Sequence, residues 1–439
     1  MLLKLVFQTE YTFGEVLSLI NIIVLTFCIL LFLHHNIFLL LSFFLKAKKY
    51  KDTNVYHNYA YVICARNEED VVGYLIKSIN EQDYPKEKMH IFVIADNCTD
   101  KTKEVSEAQG ATVYERFNTE LIGKSYALDE GLTYIINNYK DIEAFIIFDA
   151  DNLVDKNFTK EINKAYDEGN SIITGFRNSK NYGETWVSSG AGMLYYRELV
   201  TMHRVRSAFN ISTYVSGTGF LVDKQIINGN NGWIHHRLVE DIEFSISEVL
   251  KGNHIAYAEN AEFFDEHPQK LSISIKQRLR WCKGTHQCFT GYEGKLIKNF
   301  FKTGDFSNID LAVHIFPAPM ISFIWLVILP IAYGIYSIIE KVPFDIYYAA
   351  ALKPLIDCII GSYIYCFIVA LMITIVTWKR ILSKWTKKIG HCFTFPIYML
   401  TYLPITTIAA FKKVKWVPIK HSYKATIEAI KNINKQSSN

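Results

Sequence analysis

The chain has eight cysteines, at positions 28, 64, 98, 282, 288, 358, 366 and 392, yet no CxxC pair and no Cys/His cluster at zinc-binding spacing. That excludes a finger- or ribbon-type metal site. Several of these cysteines lie in or near apolar blocks and read as inert core residues. The net charge is only +4 and its basic clusters sit beside apolar runs, so no nucleic-acid groove is indicated. There is no internal repeat, and no low-complexity stretch beyond a short polar tail, "NINKQSSN". A complete Gly-rich phosphate loop is missing too. No strong small-residue cleavage site follows the first apolar run, which therefore reads as an anchor and not a removed signal peptide.

Hydrophobic length is abundant. Half of the 439 residues are hydrophobic, and the chain is too long for one ordinary soluble core. Residues 15–45 are apolar for longer than the ~20 residues that cross a bilayer. Further blocks lie at about 311–339, 352–378 and 392–411. Such lengths predict an integral membrane protein. Lys46, Lys48, Lys49 and Lys51 follow the first block, which places the next domain in the cytoplasm by the positive-inside rule. The short loop "EKVPFD" is not notably basic, as an outer loop should be. Lys379, Arg380, Lys384, Lys387 and Lys388 bring the chain back inside. Lys412, Lys413, Lys415, Lys420 and Lys424 after the last block would then lie outside if 392–411 crossed once. Pro396 and Pro404 interrupt that block, so three full spans plus a re-entrant or interfacial segment are expected.

Between the anchors, residues 52–300 alternate β-rich runs ("YAYVICA", "HIFVIAD", "AFIIFDA") with polar, helix-like stretches. This predicts an α/β domain on a mostly parallel sheet, with ligands beyond the carboxyl ends of the strands. The third run ends in "IIFDADN". Along a strand Asp149 and Asp151 would project to one side, a repulsive arrangement that a hard cation carrying phosphates would relieve. An acidic turn is the plain alternative.

Other candidates fall at comparable places. Asn67 and Glu68 end the first run, and Asp96 ends the second, where a nucleotide's base or ribose is commonly held; a helix start and an Asx turn are the bland readings. Lys124, after Gly123, could offer a point charge to a diphosphate or simply be solvated. Gly217, Thr218, Gly219 and Phe220 lie in a Gly-punctuated strand pair, "YVSGTGFLV", as a loop that lets a ligand approach the backbone. Glu240 and Asp241 open an amphipathic helix, favoured there by its dipole, or supplying a general base. In "SIKQRLRWCKG", Gln277, Arg280 and Trp281 share a helix face with Arg278 turned away, suiting phosphate and a sugar ring, or else a membrane surface.

In order, N-E, strand-end Asp, G-K, D-x-D, S-G-T-G-F, E-D and Q-R-L-R-W, over residues 67–281, resemble the family 2 glycosyltransferases. Within that family they look like the membrane-embedded processive type, which includes cellulose, hyaluronan, chitin and poly-N-acetylglucosamine synthases. The resemblance implies a GT-A fold (α/β, Rossmann-like) in the cytoplasm with flanking transmembrane helices, at the cell membrane. It implies inverting transfer of glucose or N-acetylglucosamine from a UDP-sugar to a growing β-linked polysaccharide, with Mg2+ or Mn2+ as cofactor. By resemblance Asp241 is the catalytic base; Asn67, Glu68, Asp96, Lys124, Asp149, Gln277 and Arg280 bind the nucleotide sugar. Asp149 and Asp151 hold the metal, and Gly217, Thr218, Gly219, Phe220 and Trp281 lie at the acceptor. The implied divisions are 1–51 anchor, 52–270 GT-A domain, 271–309 interfacial helices with Q-R-L-R-W, 310–411 membrane region and 412–439 basic cytoplasmic tail. Three or four spans are few for a polymer channel. Either the pore is small or shared with an accessory membrane subunit or a second copy, or the acceptor is a lipid. An inactive nucleotide-sugar sensor is the third reading, and the intact motif set argues against it.

Overall fold

The computed structural model describes residues 13–418, 421 and 423–435; residues 1–12 of the expected anchor, Lys420 and the end of the polar tail lie outside them. At its centre is one sheet of eight strands: β1 (Tyr59–Ala65), β2 (Met89–Asp96), β3 (Thr112–Arg116), β4 (Ala144–Asp149), β5 (Leu153–Val154), β6 (Ile172–Ser179), β7 (Phe220–Asp223) and β8 (Ile255–Asp265). Their order is β3-β2-β1-β4-β7-β6-β8-β5. Strands β3, β2, β1 and β4 are parallel, as the apolar runs predict. Strand β6 also pairs with β8 in parallel, so four of the seven pairings are parallel, as expected, and the other three are antiparallel. Strand β7 runs antiparallel to β4 and β6, and β5 antiparallel to β8. The reason is local. The Gly217–Gly219 turn sits at the carboxyl end of β4, where the Asp149 N–H donates to Thr218 Oγ1 and the Gly219 N–H to the Ile147 carbonyl. The strand that leaves this turn can only run back alongside β4.

The period-2 alternation of β1 divides its side chains between two cores. Ala60 and Val62 face one, with Phe92, Ile94, Phe145 and Ile147; Tyr59, Tyr61 and Ile63 face the other, with Val93, Ile146 and Phe148. Both faces are covered, so these strands read as continuous apolar runs. Four helices position the site: α1 (Lys124–Asn138), α2 (Trp186–Glu198), α3 (Glu240–Leu250) and α4 (Leu271–Thr303).

Among the described residues, three helices are long and apolar enough to cross a membrane: Ala318–Ile339, Lys353–Val376 and Trp385–Phe411. The pair Ile22–Leu31 and Leu33–Leu41 qualifies as one span bent by 43°. Residues 392–411, expected as a re-entrant or interfacial segment, fall within the third of these helices. It packs on α2 and α4 and so abuts the soluble domain. Residues 311–315, expected in a span, end a separate helix, Phe306–Ile315. Its Asp310 is buried against Arg206 at 2.5 Å and His34 at 2.9 Å, which ties the first membrane helix to the domain. His34, His35 and Asp310 could geometrically hold a metal, but the Arg206 guanidinium already neutralises the carboxylate.

Candidate active site

A cavity of about 560 Å3 opens at the carboxyl ends of β1, β2 and β4, the crevice in which open α/β sheets bind ligands. Asp149 and Asp151 both line it, though not by strand alternation. Strand β4 ends at Asp149, and the Asn152 N–H donates back to the Asp149 carbonyl, so Asp151 sits in a tight turn. The Lys124 ammonium bonds Asp149 Oδ1 and donates to the Gly217 carbonyl at 2.6 Å. Burial alone would raise the Asp149 carboxyl; Lys124 more than offsets it and holds it below the ordinary range. Asp151 is pushed up to about 7 by burial, against the pull of His421 and with help from Asp265 and Asp149.

His421 comes from the segment after the last membrane helix. Its Nδ1 lies 2.9 Å from Glu68 Oε1 and its Nε2 3.9 Å from Asp151 Oδ2. Burial would lower it, but Asp151 and Glu68 overcome that and raise it to about 10, so it is an imidazolium. Around it Lys424 pairs with Asp70, Trp416 lies beside Arg66, and Ile430 is buried against Leu153 and Phe264. Trp416, His421, Lys424 and Ile430 thus lie across the strand ends. Two side-chain cations, Lys124 and His421, lie against the paired carboxylates, and Glu68 Oε2 is buried without a hydrogen-bond partner. This is the environment a divalent cation would fit, with oxygen ligands from Asp149 and Asp151.

Helix α3 begins where its acidic first turn meets the cavity. Asp241 faces Gly217, whose φ is +85°; a Cβ there would stand 3.2 Å from Asp241 Oδ2, so glycine keeps the carboxylate open to the cavity. Burial raises Asp241 above the ordinary range, countered by the Ile242 N–H and Arg280. Glu240 is pushed up to about 7, first by burial and then by Asp241, with Lys124 and Arg280 opposing. The two titrate as a pair. A base must be ionised to work, so the acid limb of the pH–rate profile should lie above that of a free carboxylate. A limb near 4 in initial-rate measurements would contradict this.

On α4 the i, i+3, i+4 spacing places Gln277, Arg280 and Trp281 on the cavity wall. Arg280 Nη1 donates to the Leu238 carbonyl at 2.6 Å, which fixes its approach beside α3. Arg278 points the other way. It is fully buried, donating to Thr401 Oγ1 at 2.6 Å and stacking on Tyr398 and Tyr402 at 4.2 and 4.8 Å. The second arginine of Q-R-L-R-W is therefore the one at the site, and the first anchors the helix Trp385–Phe411.

Glu68, Asp96, Lys124 and Gly217 also line the cavity. Asp96 is held by Arg116 at 2.7 Å, with Arg66 at 3.7 Å; the strand-end arginine in "YERF" was the available signal for that partner. Four expected contacts lie elsewhere. Asn67, with φ of 58°, accepts from the Thr99 N–H at 2.8 Å and ties the loop after β1 to that after β2. Thr218 donates to Asn152 Oδ1 and braces the Asp149–Asp151 turn. Gly219 is pressed against Phe263, and Phe220 is 1% exposed in the core against Trp233 and Phe244. Adjacency to Gly217 in sequence, with a strand starting at Phe220, carried these residues out of the cavity.

Residues 57–284 match the family described as "Glycosyltransferase like family 2". A beta-monoglucosyldiacylglycerol synthase from a Nostoc species is 24% identical over 269 residues, 59% of this chain and 56% of that protein. A poly-beta-1,6-N-acetyl-D-glucosamine synthase from Staphylococcus aureus is 24% identical over 286 residues, 62% and 64% respectively. The chain thus spans less than two thirds of these relatives' length. The solved mannosyltransferase PcManGT from Pyrobaculum calidifontis, in complex with GDP-Man and Mn2+, superposes with a TM-score of 0.52, covering 89% of this chain and 99% of that one at 12% identity. That likeness is one of fold.

Proposed function

The chain belongs to glycosyltransferase family 2, and from that premise we propose that it transfers glucose or N-acetylglucosamine from a UDP-sugar to a growing β-linked polysaccharide, with inversion. The observation that supports this best is the meeting, in one cavity, of the Asp149–Asp151 pair, buried Asp241, and the Gln277–Arg280–Trp281 face. A pure nucleotide-sugar sensor has no use for a buried carboxylate opposite the diphosphate groups.

The chemistry follows from those residues. An acceptor hydroxyl oxygen bonds to the anomeric carbon while the bond from that carbon to the diphosphate oxygen breaks. The hydroxyl proton goes to Asp241, and the bonding electrons leave on the diphosphate. Arg280 and Lys124 face that growing negative charge from fixed positions. Asp149 and Asp151 would hold a divalent ion, with His421 and Glu68 beside them, and such an ion supplies charge stabilisation to a departing diphosphate. Carboxylate oxygen donors suit Mn2+ and Mg2+ alike. Trp281 offers its ring face to the acceptor sugar, and Asp96 with Arg66 lies where the nucleoside would sit.

We place the domain on the cytoplasmic side of the cell membrane, on the strength of Lys46–Lys51, with any missing channel wall supplied by an accessory subunit or a second copy. A lipid acceptor is the second reading. Phe316, Pro317 and Met399, at the cavity's membrane-proximal end, favour it, as does the glucolipid synthase among the relatives. A radiolabelled UDP-sugar panel on the purified protein tests the proposal, with polymer precipitation run against lipid extraction. Transfer from none of the UDP-sugars would overturn it.

Trp281→Ala should leave UDP affinity within about twofold and impair transfer, because stacking concerns the acceptor. Arg280→Ala should weaken UDP itself by about tenfold or more. Calorimetry with UDP and Mn2+ separates the two; equal losses would refute the division of roles.

A further inference from the structure

Arg177, near the end of β6, lines the cavity but takes no part in the bond and proton transfers proposed for it. A bulge in the sheet aims it there. Gly175 pairs with Ala258 of β8 but Phe176 with Glu262, so residues 259–261 are looped out of the ladder. A Cβ on Gly175 would stand 2.6 Å from the Ala261 carbonyl oxygen, so the bulge requires glycine at that position. Bulges beside active sites bend a strand and re-aim the side chains next to them. The Arg177 side chain is 10% exposed, and its guanidinium is held from three sides. It donates to the Ser216 carbonyl, lies 3.8 Å from Asp265 Oδ2, and stacks on the Tyr195 ring at 4.3 Å.

Two of these neighbours lead to reacting groups. Gly217 follows Ser216, and a Cβ on it would stand 3.2 Å from Asp241 Oδ2 and 4.0 Å from Arg177 Nη2. The guanidinium and the carboxylate therefore flank one turn. Tyr195 in turn meets Trp281 edge-on, with ring centroids 6.5 Å apart. A planar fork can donate to a carbonyl and stack on an aromatic ring at once; an ammonium cannot. We propose that Arg177 is a positioning residue, which locks the Ser216–Gly217 turn against Tyr195 and so sets the turn facing Asp241 in register with the Trp281 wall. This rests on the proposed transferase reading and adds a residue to it. The charged groups facing Asp241 are Glu240 on its own helix, Lys124 of α1, Arg280 of α4 and Arg177, while Cys288 is a thiol kept neutral by burial. Arg177, with Arg280 and Lys124, favours the Asp241 carboxylate, so its loss should raise that carboxyl further.

The test uses the full chain in detergent with Mn2+ and a UDP-sugar that wild type turns over. Arg177→Met should lower kcat about tenfold or more, the scale of a misplaced reacting group, and move the acid limb of the kcat profile to higher pH. UDP affinity by calorimetry should stay within about threefold, because Lys124 is the cation bonded to Asp149. Arg177→Lys should return the limb towards its wild-type position while kcat stays low, since charge is kept and the fork is lost. Packing alone predicts activity lost in step with folded protein and a limb that does not move. An unmoved limb in Arg177→Met, or wild-type kcat in Arg177→Lys, overturns the positioning role. If Arg177→Met does not fold, Tyr195→Leu carries the test by removing the platform: kcat should fall with UDP affinity kept, and wild-type kcat overturns the role. A wild type that turns over no UDP-sugar would sink the transferase reading and this role together; an active wild type with an unmoved limb in the variant sinks the role alone.

Discussion

Asp241→Asn is expected to lower turnover at least ~100-fold while leaving UDP-sugar binding nearly unchanged. The replacement keeps size and can still accept from the Ile242 N–H, the bond that Asp241 Oδ1 receives at 2.9 Å. It cannot take a proton. A hundredfold loss corresponds to about 2.7 kcal/mol of barrier. A purely helix-capping Asp predicts otherwise: Asn caps as well, and only a modest charge–dipole contribution is lost, so activity would be near normal. The variant should also let Glu240 ionise more easily, because Asp241 is the chief charge raising it. Turnover close to wild type in a folded, UDP-binding Asp241→Asn protein would end the assignment.

The second large effect concerns Asp151. Excess chelator should abolish activity, and Asp151→Asn should weaken Mn2+ and UDP binding together by more than the ~10–100-fold that residues outside a metal's ligand sphere cost. Stability without metal should move the other way. Asp151 is raised to about 7 in the fold, above its ordinary value, so its protonated form is the one the fold favours. That contribution is fully present below the ordinary carboxylate pKa and is lost as pH rises through about 7. At pH 8 with chelator, Asp151→Asn should therefore melt higher than wild type, and at pH 4 the gap should close. Full turnover in chelator, or a lower melting temperature for the variant at pH 8, would count against a metal-adapted carboxylate.

What could be read in advance was what neighbours in sequence control. The i, i+3, i+4 face of α4 and the burial of β1, β2 and β4 follow from helical and strand geometry. Asp149 and Asp151 were visible as a pair, and the acidic turn that unites them as one of two readings; strand against turn could not be decided locally, because the end of β4 is set by its partner turn at Thr218. Phe220 shows the limit of adjacency: one residue after a glycine turn, the chain had become a core strand. His421, Arg197, Glu198 and Tyr214 reach the cavity from segments far apart in sequence. Nothing local marks them, since each reads alone as a surface or membrane-flanking residue.

The segment 416–430 bears on biosynthesis. Synthesis proceeds from the amino end, so the sheet, Asp149, Asp151 and every membrane helix exist before His421 does. Until that segment emerges, Asp151 lacks the cation nearest its carboxylate among its ion pairs, His421, and Glu68 lacks its imidazolium partner. A chain truncated after Phe411 would therefore keep the helices long and apolar enough to cross a membrane but leave the Asp149–Asp151 end of the cavity without Trp416 and His421.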